Sequence, residues 1–392
     1  MLDIQQKGVV TLVRNALLNQ DNKMPEGFDF GAAVALAKKH GILNIAYYGA
    51  VNAGISQTDS VMQGLFMYSC QGVARSTQQL YELERLFEAF EKNGIDFMPL
   101  KGAVLKNLYL KTDMRTMGDG DILIKPEQYD KIKPIMEKLG FIEGLESDHE
   151  LVWSKKSLLL ELHKHLIPSY FKDYYEYFGN GWGRAQLKGD FKYRYCYSNE
   201  DEFVYLFSHF AKHYRDGGIG IKHLCDIFVF LKCHPELDMK YIETELSRLR
   251  LFEFYKNILA TLDCWFEKGE FDEKSAFITK TIFDSGAFGT KENHNVSKAV
   301  KASKTAGSAR GGKNRRVRQT YFPGLSNMKK KYPVLNKAPF LLPVMWIVRG
   351  IGSIGNGKLK SNAQALKELT PEKIESFQES LLYVGLDYNF KE

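Results

Sequence analysis

The chain has little cysteine, no long hydrophobic run and, over one long stretch, almost no acid. Its five cysteines (Cys70, Cys196, Cys225, Cys233 and Cys264) form an odd, scattered set among 392 residues. No short paired spacing occurs, which argues against a zinc ribbon and a disulfide framework and for reduced thiols in a cytoplasmic setting. The longest apolar run, Pro339 to Val348, contains two prolines and reaches only about half a bilayer span, so no membrane-spanning helix is expected. Met1–Lys7 lacks a basic stretch leading into an apolar core, so no secretion signal is expected. A hydrophobic content of 44% with 13% aromatics excludes a disordered chain. The length leaves room for two or three domains.

Acid is scarce between residues 285 and 331, where twelve Lys or Arg face Glu292 alone. The net charge there is +11, against +7 for the whole chain, so the rest of the chain is net acidic. The segment is rich in Gly, Ser, Ala and Lys, and it reads as a flexible basic insert. Two readings of it stand: a solvated loop, or a contact for an anionic partner such as nucleic acid, a phosphorylated acceptor or a triphosphate.

What is present concentrates between residues 95 and 124. An apolar run, Ile95–Leu100, ends in Lys101-Gly102 and leads into a helix-like segment, Ala103–Leu110. Arg115 follows, and then Gly118-Asp119-Gly120-Asp121 opens a second apolar run. A strand has a side-chain period of two, so Asp119 and Asp121 project from one face. Two adjacent carboxylates repel unless a cation lies between them. Mg²⁺ favours oxygen ligands and completes its shell with substrate phosphates, so the pair suits a metal–nucleotide complex.

The order strand, Lys-Gly, helix, Arg-x-Met-Gly-Asp-x-Asp, strand resembles the nucleotidyltransferase fold of the DNA polymerase beta superfamily, and more narrowly its bacterial uncharacterised nucleotidyltransferase branch. A second block supports the same branch: Leu206 to His213, with its His-x-x-x-His pattern, then Gly218-Ile219-Gly220 and a helix through Cys225-Asp226. One departure is Gly120, where that family usually has a branched apolar residue.

The resemblance implies roles residue by residue. Asp119 and Asp121 would hold Mg²⁺ or Mn²⁺. Glu161, in the alternating run Leu158–His163, would be the third carboxylate, with Asp148 and Glu150 as rivals. Gly102 and Gly118 would let backbone approach the nucleotide, and Lys101 and Arg115 would balance the triphosphate charge. His163 and His165 either touch substrate or are structural. The same choice holds for His209 and His213, one turn apart on a helix. Asp226 either caps its helix or pairs with Lys222. The aromatics Tyr170, Phe171, Tyr174, Tyr175, Tyr177, Phe178 and Trp182 either stack on a base or pack between domains.

The implied fold is α+β: a small mixed-sheet nucleotidyltransferase core flanked by helical regions. The expected organisation is an N-terminal helical region (1–94), the α/β core (95–195), a helical domain (196–284), the basic flexible insert (285–331) and a C-terminal packed segment (332–392). The expected activity is metal-dependent transfer of an NMP group from an NTP to an unknown acceptor with release of pyrophosphate. Alternatives are a non-catalytic nucleotide or nucleic-acid binding protein of the same fold, or a phosphotransferase using the same site.

Overall fold

The computed structural model describes residues 2–147, 149–156, 158–168, 172–355 and 358–387. Asp148, Tyr170 and Phe171 lie outside them. The chain divides into two compact units: residues up to Ala211 together with Ile219–Ala287, and Lys212–Gly218 together with the residues from Phe288 on.

The first unit opens with four helices, α1 (Ile4–Leu18), α2 (Phe30–Lys39), α3 (Leu43–Asn52) and α4 (Ser60–Lys92). Their starts follow from local chemistry. Asp3 and Gln6 form a capping box on α1, and the Asp59 carboxylate accepts hydrogen bonds from Val61 N and Met62 N of α4. Leu83, Leu86, Phe87 and Phe90 recur at helical spacing along α4 and are buried. Gly94, at φ +68°, turns the chain out of that helix.

Five strands follow: β1 (Phe97–Leu100), β2 (Asp119–Ile124), β3 (Ile142–Glu146), β4 (Glu150–Lys155) and β5 (Leu158–His163). Their order in the sheet is β1-β2-β5-β4-β3. β2 and β5 are parallel and the other pairs antiparallel, which makes the sheet mixed. Between strands lie a short helix, α5 (Gly102–Leu105), and α6 (Tyr129–Lys138), which contains Pro134 and continues past it. The helix expected to reach Leu110 therefore stops early: Tyr109 is extended, and its hydroxyl is drawn to Asp226.

The alternation predicted for β5 is the alternation observed. Leu158, Leu160 and Leu162 are buried in a core with Phe97, Ile122, Ile124 and Trp153, beneath α4 and α6. Gly120 faces that core as well. A Cβ there would lie 3.0 Å from Leu160 and 3.4 Å from Leu83, so glycine lets α4 sit close to the sheet without breaking the strand.

The remainder of this unit is α7 (Lys172–Phe178), the ribbon β6 (Gln186–Leu187) with β7 (Tyr195–Cys196), then α8 (Asn199–Asp216) as far as Ala211, α9 (Ile221–Cys233), α10 (Met239–Arg248), α11 (Phe252–Asp263) and α12 (Glu273–Ser285). Two aromatics of the connecting stretch have structural partners here. Tyr174 is buried, and Tyr177 donates to Glu245 beside Arg184, which also pairs with Asp201.

The second unit departs from expectation. The basic segment is not a loop: it forms α13 (Lys291–Ala306), α14 (Ala309–Tyr321) and α15 (Leu325–Lys331). Thr290 and Ser308 cap the first two through Asn293 N and Gly311 N. Val296, Ala299, Val300 and Ser303 give α13 a buried stripe, and Gly312 lets α14 approach it: a Cβ at that position would lie 2.6 Å from Ala299 O. Lys, Arg and Ala are strong helix formers, and a narrow small-residue seam is enough to dock them. The C-terminal residues add α16 (Val334–Lys337), α17 (Leu342–Gly355), α18 (Lys358–Lys367) and α19 (Pro371–Tyr383) to this same unit, with α19 against α13.

Candidate active site

The polar face of the sheet gathers the predicted carboxylates. Asp121 on β2 lies opposite Glu161 on β5, so their side chains stand side by side on one face. Asp119 lies on the same face, one pleat earlier. Glu150 on β4 lies opposite His163 on β5 and joins them. In this way the two-residue period of three strands brings four acids and a histidine together, with no loop required to aim them.

Asp121 is buried and accepts from two donors, Lys101 Nζ at 2.9 Å and His163 Nε2 at 2.7 Å, both at Oδ1. Burial alone would raise its pKa. The Lys101 ammonium and the His163 hydrogen bond outweigh burial and hold it well below the usual carboxylate range. Lys101 is shifted upward in return, because Asp121 outweighs the burial that would lower it. Its backbone sits at φ +44°, a left-handed conformation that costs a lysine energy and is tolerated where the surroundings dictate it. That turn carries the chain from β1 into α5 and sets the ammonium over Asp121.

Glu161 behaves in the opposite way. Burial, then the charges of Asp119, Glu150 and Asp121, push its carboxyl up to about 7. The side chain keeps some exposure, and its Oε2 is 3.6 Å from His163 Nε2. A carboxyl this hard to ionise among other acids marks a spot where positive charge is in deficit.

The face offers carboxylate oxygens, which suit a hard divalent cation, beside imidazole nitrogens, which suit a softer one. Among the described residues, the ligand atoms of Asp121, Glu161 and His163 lie within 4.8 Å of one another, as do those of His149, Glu150 and His163. Asp119 belongs to neither trio in this arrangement. His163 Nδ1 is 3.0 Å from His149 Nε2, so the two rings form a relay at the edge of the site.

The residues expected at the phosphates are distributed less simply. Gly102 opens α5, and a Cβ there would lie 2.8 Å from Arg115 Nη1. Gly118, just before β2, has open space where a Cβ would be. Arg115 itself is buried, with Nε and Nη2 on the two oxygens of Asp226 at 2.8 and 3.0 Å. The Tyr109 hydroxyl shares Asp226 at 2.7 Å. Asp226 is thus the partner of Arg115, not of Lys222.

Lys222, at the second position of α9, went unnoticed as a site residue. Burial and then Arg115 lower its pKa, while Asp226, Asp119 and Asp121 act to raise it, so its charge bears on the acidic face. Its only sequence signal was a lysine just after a Gly-Ile-Gly turn. Glu202 lies in the first turn of α8. It is buried and pushed up to about 7 by burial, against the pull of Lys188 and Lys101. His209 lies near Tyr205 and His223, with ring centroids 6.4 and 6.5 Å away, and burial keeps His223 neutral.

A search of the curated proteins finds no match. Among solved structures, a crystal structure of ANT(2″)-Ia with adenylyl-2″-tobramycin is 14% identical at a TM-score of 0.34, covering 44% of this chain and 97% of that one. A solution structure of the antibiotic-resistance factor ANT(2″)-Ia is 15% identical at a TM-score of 0.33, covering 48% and 96%. Superpositions that loose say nothing about the site. The family comparison does carry weight, because the model of the uncharacterised nucleotidyltransferases matches residues 26–267. That range holds every residue of the acidic face, and on it the chain belongs to the uncharacterised nucleotidyltransferase family.

Proposed function

We propose that the chain is a metal-dependent nucleotidyltransferase that moves an NMP group from an NTP to an acceptor hydroxyl or phosphate, releasing pyrophosphate. The observation that carries this reading is the pairing of Asp121 with Glu161 across β2 and β5, with Glu161 pushed up to about 7. Asp119, Asp121 and Glu161 would hold Mg²⁺ or Mn²⁺. Such an ion, when bound, supplies Lewis-acid charge to the triphosphate.

In this reading the acceptor oxygen forms a bond to the α-phosphorus, and the bond from that phosphorus to the bridging oxygen breaks. The electron pair leaves with pyrophosphate, and Glu161, beside Asp121 on the neighbouring strand, takes the acceptor proton. Lys101 trades its contact with Asp121 for the incoming phosphates. Gly102 and Gly118 leave room for backbone N–H groups to approach them. Arg115, fixed by Asp226, presents its remaining nitrogen at Gly102. Most of the rate enhancement would come from positioning and charge neutralisation.

Calorimetry with each of the four NTPs, with and without Mg²⁺, tests the site. Nucleotide binding that needs Mg²⁺ and vanishes in a still-folded Asp119→Asn/Asp121→Asn variant supports it; equal binding by both proteins, or by neither, sinks it. Product analysis then separates reactions: pyrophosphate indicates nucleotidyl transfer, nucleoside diphosphate a phosphotransferase.

A further inference from the structure

The second unit holds a groove of about 1020 Å³ between α13, α14 and the chain entering α15. Lys298, Arg315, Arg316 and Arg318 line it together with the amides Asn314, Gln319 and Asn327. A smaller cavity of about 370 Å³ continues from it, sharing Arg316, Gln319 and Asn327 and adding Lys331 and Arg349. No carboxylate lines either one. Among the described residues, no acid stands within salt-bridge distance of Arg315, Arg316, Arg318 or Lys331.

One of these cations, Arg316, is set back from the surface. Arg316 donates from Nη2 to Asn295 at 3.0 Å, while its Nε is buried with no hydrogen-bond partner. Lys298 is exposed at the groove's edge, where partial burial and the neighbouring Arg316 work against its charge and Asp216 supports it. Holding unneutralised charge in a recess costs energy unless an anion enters it. At the groove wall Phe322 is 54% exposed, and its ring is braced by Trp346 at 5.3 Å, edge to face. Trp346 is itself anchored by a hydrogen bond from Nε1 to Pro323 O.

We infer that this groove binds a short stretch of single-stranded nucleic acid. Arg316 in the recess and the exposed Arg315 and Arg318 track phosphodiesters, Phe322 offers a prebuilt stacking surface, and the amides reach base edges or sugar hydroxyls. The volume is at the top of the small-ligand range, and its continuation through Arg316 suits a chain more than a single anion. A duplex presents stacked, inaccessible bases to Phe322. An anionic bilayer is the rival for the same charges, because Phe340, Val344, Ile347 and Ile351 form an exposed apolar stripe nearby in the sequence. A flat membrane, however, does not enter a recess. The residues lining the groove lie outside the family match, and the inference is independent of turnover at the acidic face.

The test is fluorescence anisotropy of a labelled short oligouridylate titrated with the full chain at low and physiological salt. Binding should weaken steeply as salt rises. Arg315→Gln/Arg318→Gln, at two exposed positions, should lose at least about tenfold in affinity and about two from the salt slope. Phe322→Ala should lose about tenfold with the slope unchanged. Circular dichroism checks that both variants keep their helices. Absence of saturable binding, equal affinity for a duplex of the same length, or full affinity in either variant overturns the inference. So does cosedimentation with phosphatidylglycerol vesicles that the double variant abolishes and the oligouridylate does not compete.

Discussion

The two units hold their charges in opposite ways. On the sheet, four carboxylates converge, and the cations nearest them are already engaged: Lys101 on Asp121, Arg115 on Asp226. In the helical unit Arg315, Arg316 and Arg318 converge on a groove that no carboxylate lines. A buried charge is tolerated when paired and costly when not. An unpaired excess of one sign therefore marks where a ligand of the other sign belongs, and the two units ask for opposite ligands.

The sharpest way to break this comparison is to remove one pole and measure both functions. Asp121→Asn should lower Mg²⁺-dependent pyrophosphate release by about 10³-fold or more and leave oligouridylate binding unchanged. Arg315→Gln/Arg318→Gln should do the reverse. If either variant damages both activities equally, the poles are not independent.

Next in size is the contrast between paired and unpaired arginine. Asp226→Asn leaves Arg115 buried without its bidentate partner and should destabilise the protein by about 3–5 kcal/mol in chemical denaturation. Arg316→Met removes a half-buried cation that no acid neutralises, and should change stability by less than about 1 kcal/mol. A large loss at Arg316 would mean that its charge is already balanced.

The first unit has a pH signature in Glu202, buried on α8. Its folded pKa of about 7 lies above the unfolded value of about 4.5, so folding takes up a proton. Stability therefore falls as pH rises from about 4.5 through 7, and the penalty is complete above that. Glu202→Gln should stabilise the protein at pH 8 by up to about 3 kcal/mol and leave it unaltered near pH 4. Melting curves across that range read the difference directly.

What the sequence made legible was local. Period-two spacing placed Asp119 and Asp121 on one face because a strand needs no distant information to alternate. The Lys101-Gly102 turn was visible for the same reason. Glu161 came from the family resemblance, since its meeting with Asp121 depends on the pairing of β2 with β5. The partner of Arg115 was not, since Asp226 lies 111 residues away and only packing brings α9 to it. Lys222 was hidden by the same distance. The basic segment misled through composition: many charges, glycines and serines suggest a linker. Yet Val296, Ala299 and Val300 already carried the spacing of a helix, and Thr290 and Ser308 stood where caps belong.

Two glycines give the finest comparison, because each admits a neighbour of a different kind. At Gly312 an added methyl meets backbone, 2.6 Å from Ala299 O and 2.7 Å from Ser303 N, and a packed helix cannot yield there. At Gly120 it meets the tips of Leu160 and Leu83 at 3.0 and 3.4 Å, and leucine tips can rotate away. Alanine also gains backbone propensity over glycine, up to about 1 kcal/mol in a helix. Gly312→Ala should still destabilise, by about 2 kcal/mol, since overpacking against a rigid wall exceeds that gain. Gly120→Ala should fall within about 1 kcal/mol of the native chain, the gain and the strain nearly cancelling. Because α14 carries Arg315, Arg316 and Arg318, Gly312→Ala should weaken oligouridylate binding while pyrophosphate release persists. Gly120→Ala, set between both aspartates, should disturb release first. If the two substitutions cost the same, it is the bulk of a methyl and not the stiffness of what it meets that sets the energy at these seams.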